Sequence, residues 1–491
     1  MIGRLFFDNL LPRWITDNLQ LWIRGLIVIG VLLLSATIAI GMPPLALAAL
    51  GLLPFGIGVV LILMRWPALG LMALPPATIF VAFSIAAGSE YSTINPAFSI
   101  TGGMLGLWVL DMILKRQVTI LPSRTLWPLL AFNVVNLLAF GFGQLPWYPF
   151  PGAPFSAQLG GMMILPFATG AFLLTAHQIK DLRWLEWITW LFLAAGALFI
   201  AVELVPPLRN FANNIRQPGV NGSLEYGLVQ SGASNGSLLW LWLVALAFSQ
   251  AVFNRRLHIV WRAGLGLLVM VLLYQSAIVN REWASGWIPS VAAIGVIVWV
   301  STPQLRIMVT IAGVLGAMTK LSSFVDKIVY GENAYSTVTR LEAYAIVLQI
   351  AKVNPIIGLG HSNYYYYSER FPIRGYYVKF NSHSNIVDII AQTGILGLAC
   401  FFWFFWEVGL LGWRLRNLVP EGGFAQAYVY SALGGIVGMI VAAILGDWVL
   451  PFVYNIGFSG FRAAVLGWFF LGGLVAIEQI YVVNKKERVE A

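Results

Sequence analysis

The sequence is poor in charge. Of its 491 residues only 10% are Asp, Glu, Lys or Arg, against roughly a quarter in ordinary soluble chains. That scarcity excludes an ordinary cytosolic enzyme and a disordered chain. Cysteine is almost absent. The one residue, Cys400, falls inside an apolar run, so neither an intramolecular disulfide nor a cysteine-based metal centre can form. No two acidic residues are separated by a single position, so there is no D-x-D arrangement for Mg²⁺ or Mn²⁺. No G-x-x-x-x-G-K-[ST] segment occurs, which argues against an ATP-driven pump. The four histidines, at 177, 258, 361 and 383, show no metal-ligand spacing.

What the sequence has in excess is apolar length. Hydrophobic residues make up 59% and mean hydropathy is +0.81. A spanning helix needs roughly 20 mostly apolar residues, and about fourteen such runs are predicted. They lie near 25–41, 45–64, 67–88, 98–114, 126–142, 159–176, 185–204, 236–252, 263–279, 284–300, 305–320, 385–411, 425–446 and 457–482. The fold class is therefore all-α, a polytopic transmembrane bundle. The start, with Arg4, Asp8, Arg13, Asp17 and Arg24, is too polar for a cleavable signal peptide and reads as an interface-lying amphipathic segment.

The net charge of +9 implies orientation rather than nucleic acid. With the N-terminus in the cytoplasm and the spans alternating, 18 of the 29 basic residues fall on the inner side, as the positive-inside rule requires. Both termini are then cytoplasmic. Seven of the others lie between Lys320 and Lys379, in one long outer segment. Arg209 and Arg216 share a second, over about 205–235, and Arg281 and Arg462 remain. The expected organisation is spans 1–11 over 1–320, an outer loop over 321–384, and spans 12–14 with a cytoplasmic tail over 385–491.

The long outer loop concentrates the polar chemistry. TRLEAYAIVLQIAKVN, 339–354, reads as a helix with Thr339 as N-cap and Glu342 closing a capping box, stopped by Pro355. Arg340 would then be the first helical residue, beside unpaired N–H groups. It is either part of an anion site suited to phosphate or a solvated arginine flanking a cap. Glu342 is a cap or a catalytic acid. Gly358 and Gly360 in GLG allow a tight backbone path, a weak phosphate-loop signal by itself. Tyr364, Tyr365, Tyr366 and Tyr367 anchor the loop at the headgroups or stack on sugar faces. In NSHSN, 381–385, Ser382 or His383 is expected to cap the next span. That keeps the His383 ring neutral and able to take a proton from a hydroxyl. Asp388 and Gln392 follow on one helix face, and an ionisable residue in a span is a functional candidate by default. His361 is a weaker candidate for the same base. Arg281, between two spans with Glu282 beside it, either snorkels to the headgroups or forms a second phosphate clamp on the same face.

In order and spacing these segments resemble the O-antigen ligase/polymerase superfamily (Wzy_C-like) of bacterial envelope enzymes. The resemblance rests on Asn280-Arg281 between two spans, a long outer loop opening with R-x-x-x-Y…N-P-I-I-G-L-G (Arg340 to Gly360), and N-S-H-S-N…G-I-L-G (Asn381 to Gly397). It covers about 230–410. Ser384 separates His383 from Asn385, where the family has an adjacent His-Asn pair. The resemblance implies a metal-independent glycosyltransferase of the inner membrane, without a cofactor. Such an enzyme moves a glycan from an undecaprenyl pyrophosphate carrier to a hydroxyl of a glycan or lipid acceptor on the outer face. It further implies that Arg281 and Arg340 hold the pyrophosphate and that His383 activates the acceptor; Arg216, His361, Asp388 and Tyr364 are candidate accessory residues. Ligase and polymerase are not separated by these residues. The alternative from another class is a transporter or flippase for an anionic or lipid-linked substrate, which would be expected to place paired charges near the midplane in broken helices.

Overall fold

The computed structural model describes residues 56–80, 85–86, 93–208, 236–330 and 334–483. Its helices are α1 (Gly56–Arg65), α2 (Pro67–Phe80), α3 (Pro96–Lys115), α4 (Leu126–Phe142), α5 (Phe155–Gln178), α6 (Leu182–Leu204), α7 (Ser237–Phe253), α8 (Ile259–Leu273), α9 (Ala284–Ser301), α10 (Arg306–Tyr330), α11 (Ala334–Ala351), α12 (Asn363–Tyr367), α13 (Asn385–Leu415), α14 (Phe424–Leu445) and α15 (Gly457–Glu478). A wider π-helical turn, Tyr274–Val279, extends α8, and a two-residue strand pair (Ile85–Ala86 with Thr93–Ile94) links α2 to α3. Among the described residues, eight helices are long and apolar enough to cross a membrane, or nine if the bent pair α1–α2 is one broken span. The protein is an all-helical polytopic membrane protein. In hydrocarbon every backbone polar group must be satisfied within the protein, which a helix does by itself.

Of the fourteen runs expected, 25–41 and most of 45–64 lie outside the described residues. The runs near 126–142, 236–252 and 305–320 correspond to shorter apolar helices, Leu126–Phe142, Ser237–Phe253 and Pro303–Gly316. Helix α10 continues to Tyr330, so the first ten residues of the segment read as loop are helical. The reason is physical: a helix whose turn-to-turn hydrogen bonds are already made does not need apolar side chains to extend past the apolar stretch.

The chain forms two compact units, residues 1–70 with 103–120, and residues 71–102 with 121–491. The second holds every site residue described below. At its centre is α15, in which all residues from 460 to 477 are buried. Arg462, read as an outer-side cation, is inside this helix, and its Nη2 donates to the Thr78 carbonyl at 2.8 Å. Helices α9 and α14 pack backbone to backbone. A Cβ on Gly434 or Gly438 would press on the carbonyls of Ala293 and Pro289, the small-residue contact that drives helix association where lipid leaves no hydrophobic gain.

The feature that positions the site is a break in α13. Gly394 is non-helical, with φ +69°. The segment Pro355–Gly360 fills the gap. The N–H groups of Leu359 and Gly360 donate to the carbonyls of Ala391 and Gln392, and the carbonyls of Pro355 and Ile356 accept from Ile395 and Leu396. The interrupted ladder is thus completed by the loop rather than left orphaned. Gly358, with φ +84°, lies so close that a Cβ would meet the Gln392 carbonyl, and a Cβ on Gly394 would overlap Ile356. GLG is therefore a backbone splice and not a phosphate loop. Gly394→Ala is expected to lower the thermal stability of the detergent-solubilised protein by about 2 kcal/mol or more, the left-handed penalty plus overlap. Gly409→Ala, on the same helix with open space around it, is expected to be neutral or mildly stabilising. Equal shifts for the two would refute the splice.

Candidate functional site

The splice holds residues 361–384 over the start of α13, where the backbone turns sharply into the helix. His383 takes φ +51°, an uncommon conformation for a side-chain-bearing residue. Ser384, not Ser382 or His383, occupies the N-cap position, and its side chain makes no cap bond. The turn is held instead from within. The Ser384 N–H donates to Ser382 Oγ at 3.1 Å, and Ser382 Oγ donates to Asp388 Oδ1 at 2.7 Å. Tyr364 donates its hydroxyl to the same oxygen at 2.5 Å. Asp388 and Ser382 are both almost fully buried, where a hydrogen bond gains electrostatic strength and an unmade one is costly. Asp388 fastens the turn that carries His383.

This corrects the reading of the tyrosines. Tyr364 and Tyr367 are buried, and Tyr364 stacks on Phe452 at 5.1 Å. Neither is a headgroup anchor or a sugar platform. Tyr365 and Tyr366 are half-buried; Tyr365 stacks on Tyr454 at 4.5 Å, and the Lys379 ammonium sits 4.1 Å over the Tyr366 ring. The four-tyrosine run is amphipathic because it is a short helix on a packed loop, with the face of Tyr364 and Tyr367 inward.

The capping reading of the Arg340 segment is also corrected. Helix α11 begins at Ala334, so Arg340 is well past the first turn, where the dipole no longer favours an anion. Glu342 caps nothing: its Oε1 accepts the Arg374 N–H at 3.0 Å. It thereby ties down a tight turn in which Arg374 and Gly375 both have positive φ, the type I′ pattern.

Arg340 and His383 line one cleft of about 200 Å³, with Glu282, Trp283, Asp447 and Asn455. Arg281 is not among the lining residues. It precedes Glu282, is 79% exposed, and lies 3.6 Å from the Glu282 carboxylate. His361 is elsewhere. It is buried, 3.3 Å from the Asn136 carbonyl, and lines a separate cavity of about 40 Å³ with Asn136, Asp388 and Gln392, polar and large enough for water. Burial pushes His361 down to about 4, so it is neutral. Asp388 Oδ2 has no hydrogen-bond partner among the described residues. Arg216 lies outside the described residues.

The loop 446–456 was missed as a site element. Asn385 binds it to the helix start: Oδ1 accepts from Val449 and Leu450, and Nδ2 donates back to the Leu450 carbonyl. From this loop Asp447 and Asn455 reach the cleft. Asp447 is buried and pushed up to about 6 by that burial, opposed by the Phe452 N–H and the Asn455 amide. Partial burial, then the Arg340 charge, holds His383 below the ordinary imidazole value. The signal in the sequence was D-W-V-L-P-F-V-Y-N, a polar pair in a short connector between two spans, legible only once the connector is known to fold toward His383. Removing the Tyr364 hydroxyl leaves the Asp388 pair one donor short, at a cost of about 1–3 kcal/mol. Tyr364→Phe is expected to destabilise by that amount. Asp388→Asn, which still accepts at Oδ1, is expected to cost less than Asp388→Leu. A tolerated Asp388→Leu would contradict the anchoring role.

No curated protein matches the chain. A family model does match residues 227–402, a stretch that contains Arg281, Arg340, His383 and Asp388 but stops short of Asp447 and Asn455. The description of that model is O-antigen ligase, Wzy_C, and over residues 227–402 this multi-pass membrane protein carries an O-antigen ligase domain.

Proposed function

We propose that the protein transfers a glycan from a polyprenyl pyrophosphate carrier, undecaprenyl pyrophosphate in bacteria, to an acceptor hydroxyl at the outer face of the inner membrane. The observation that carries this reading is one cleft holding an arginine and a neutral histidine, Arg340 and His383, within an O-antigen ligase domain. The reaction needs two things from the protein. Charge developing on the departing pyrophosphate must be stabilised, and the acceptor must lose its proton as its oxygen attacks. Arg340 supplies the first, through a planar fork that matches phosphate oxygens. Arg281, at the cleft margin, is the second phosphate contact in this reading, once it exchanges Glu282 for the diphosphate. His383 supplies the second as proton acceptor. The acceptor oxygen bonds to the anomeric carbon, the carbon–oxygen bond to the diphosphate breaks, and in-line attack inverts the anomeric centre. The lipid pyrophosphate leaves with both electrons of that bond.

The test is transfer by purified protein from the host's own lipid-linked glycan, with EDTA present. His383→Ala is expected to lower the rate by about 10²–10⁴, the usual worth of a general base. Arg340→Ala is expected to cost on the order of 10²–10³. The sign with pH follows from the direction of the His383 shift: a ring held below the ordinary imidazole value is still singly protonated at pH 7 and takes its second proton only as pH falls beneath that value, which sets the acid limb of the rate profile. Full activity in both variants would remove the site. Inactive wild-type protein that nonetheless moves lipid-linked glycan across proteoliposomes would establish the carrier instead. Product length separates polymerase from ligase.

A further inference from the structure

Two polar side chains from beyond the matched domain line the cleft with His383, and one of them, Asn455, contacts it. The Asn455 amide nitrogen lies 2.7 Å from Asp447 Oδ1 and 3.3 Å from His383 Nδ1. A carboxylate only accepts, and an amide nitrogen only donates, with two hydrogens. The short contact to Asp447 therefore turns the nitrogen of Asn455, not its oxygen, toward both neighbours. The second hydrogen points at His383 Nδ1, which must accept it. In a neutral imidazole one nitrogen accepts and the other carries the proton, so the proton is on Nε2. Asp447 cannot swing away, because it is buried and its Oδ2 accepts the Phe452 N–H at 3.0 Å. The loop itself is bound by Asn385.

We propose that Asp447 and Asn455 are positioning residues that set the tautomer of His383, and that its resting form carries the ring proton on Nε2. The inference rests on the proton-transfer role given above but concerns a separate quantity. With Nδ1 engaged, Nε2–H is a donor. It becomes an acceptor for the substrate proton only when the ring proton has moved to Nδ1 and Asn455 presents Oδ1 to receive it. Beside an ionised Asp447 that oxygen would face another acceptor. A proton on Asp447 removes the conflict, since Asp447 then donates to Oδ1 as well. The turn thus takes up one proton from solvent at Asp447 and leaves the count on the ring unchanged. The other charged groups lining the cleft are Arg340 and Glu282.

The tautomer is measurable without substrate. The chain has four histidines, so ¹⁵N-histidine NMR of the full protein in detergent, with His383→Gln to identify the signal, reports which nitrogen is protonated. The expected result is predominantly Nε2–H in wild type. Asn455→Asp replaces the donor by a near-isosteric acceptor, so Nδ1–H should dominate and the titration midpoint should rise by about one unit or more. Asp447→Ala frees the amide to turn and should give a mixture. In the transfer assay, Asn455→Asp should move the acid limb of the rate profile upward by the same amount as the NMR midpoint, which a merely structural role would not do. Wild-type His383 protonated mainly on Nδ1 overturns the proposal, as does a tautomer unmoved by both substitutions. If the tautomers invert as expected while no variant and no wild-type protein transfers glycan, the tautomer assignment stands and the enzymatic reading fails.

Discussion

Everything around the cleft depends on one backbone exchange. A transmembrane helix normally satisfies itself, and a break in it exposes polar groups that lipid cannot solvate. In α13 the break at Gly394 is made good by Pro355–Gly360, through four backbone hydrogen bonds. The loop is thereby tied to a rigid helix at the membrane boundary instead of hanging from its two ends. Arg340 precedes the splice, and the short Asn363–Tyr367 helix follows it. The chain then returns to enter the same helix at Asn385. The cleft is bounded by pieces that converge on this single element, which is how a segment of over fifty residues can hold side chains at hydrogen-bond precision.

Above the splice a polar hierarchy takes over. Buried polar networks stabilise only when their members are satisfied, and half-satisfied ones cost more than apolar packing. Asp388 accepts at Oδ1 from Tyr364 and Ser382, its Oδ2 has no partner among the described residues and the side chain borders the small cavity beside His361, and Asn385 satisfies three backbone groups of loop 446–456. These are the buried members. His383 and Asn455, by contrast, are exposed, and the cleft opens beside them. The arrangement separates two tasks along a few residues of sequence. Asp388 and Asn385 hold the backbone still, while His383 keeps a face for a ligand. Asp388 itself is absent from the lining of the cleft and borders the smaller cavity instead.

The sequence made the class of protein legible, because apolar length and charge placement follow directly from the bilayer. It also singled out Arg340 and His383 as candidates, and the structure brings these two to one cleft. It misread the local reasons. Thr339 and Glu342 have the spacing of a capping box, but the helix begins earlier, and Glu342 binds a turn more than thirty residues away. Capping patterns are local signals, and a distant backbone donor competes for the same carboxylate. GLG has the composition of a phosphate loop because both uses require glycine, one for approach to a ligand and one for approach to another backbone. The tyrosine run reads as amphipathic from either direction, and only packing against Phe452 and Tyr148 assigns its buried faces.

The hardest part to read was the contribution of residues 446–456. Nothing local links Asp447 and Asn455 to His383, more than sixty residues earlier. The link passes through Asn385, whose amide pairs with backbone rather than with a side chain, so neither composition nor charge pattern records it. This bears on what a domain match means for such a protein. Residues 227–402 define the family domain, yet they do not enclose the cleft. Without the loop between α14 and α15, His383 would lack its Nδ1 partner and the cleft one wall. A histidine's capacity as acid or base depends on which nitrogen is engaged and by what. That property is supplied from outside the domain that supplies the histidine, so changes in this connector can alter the proton chemistry while leaving the matched segment intact.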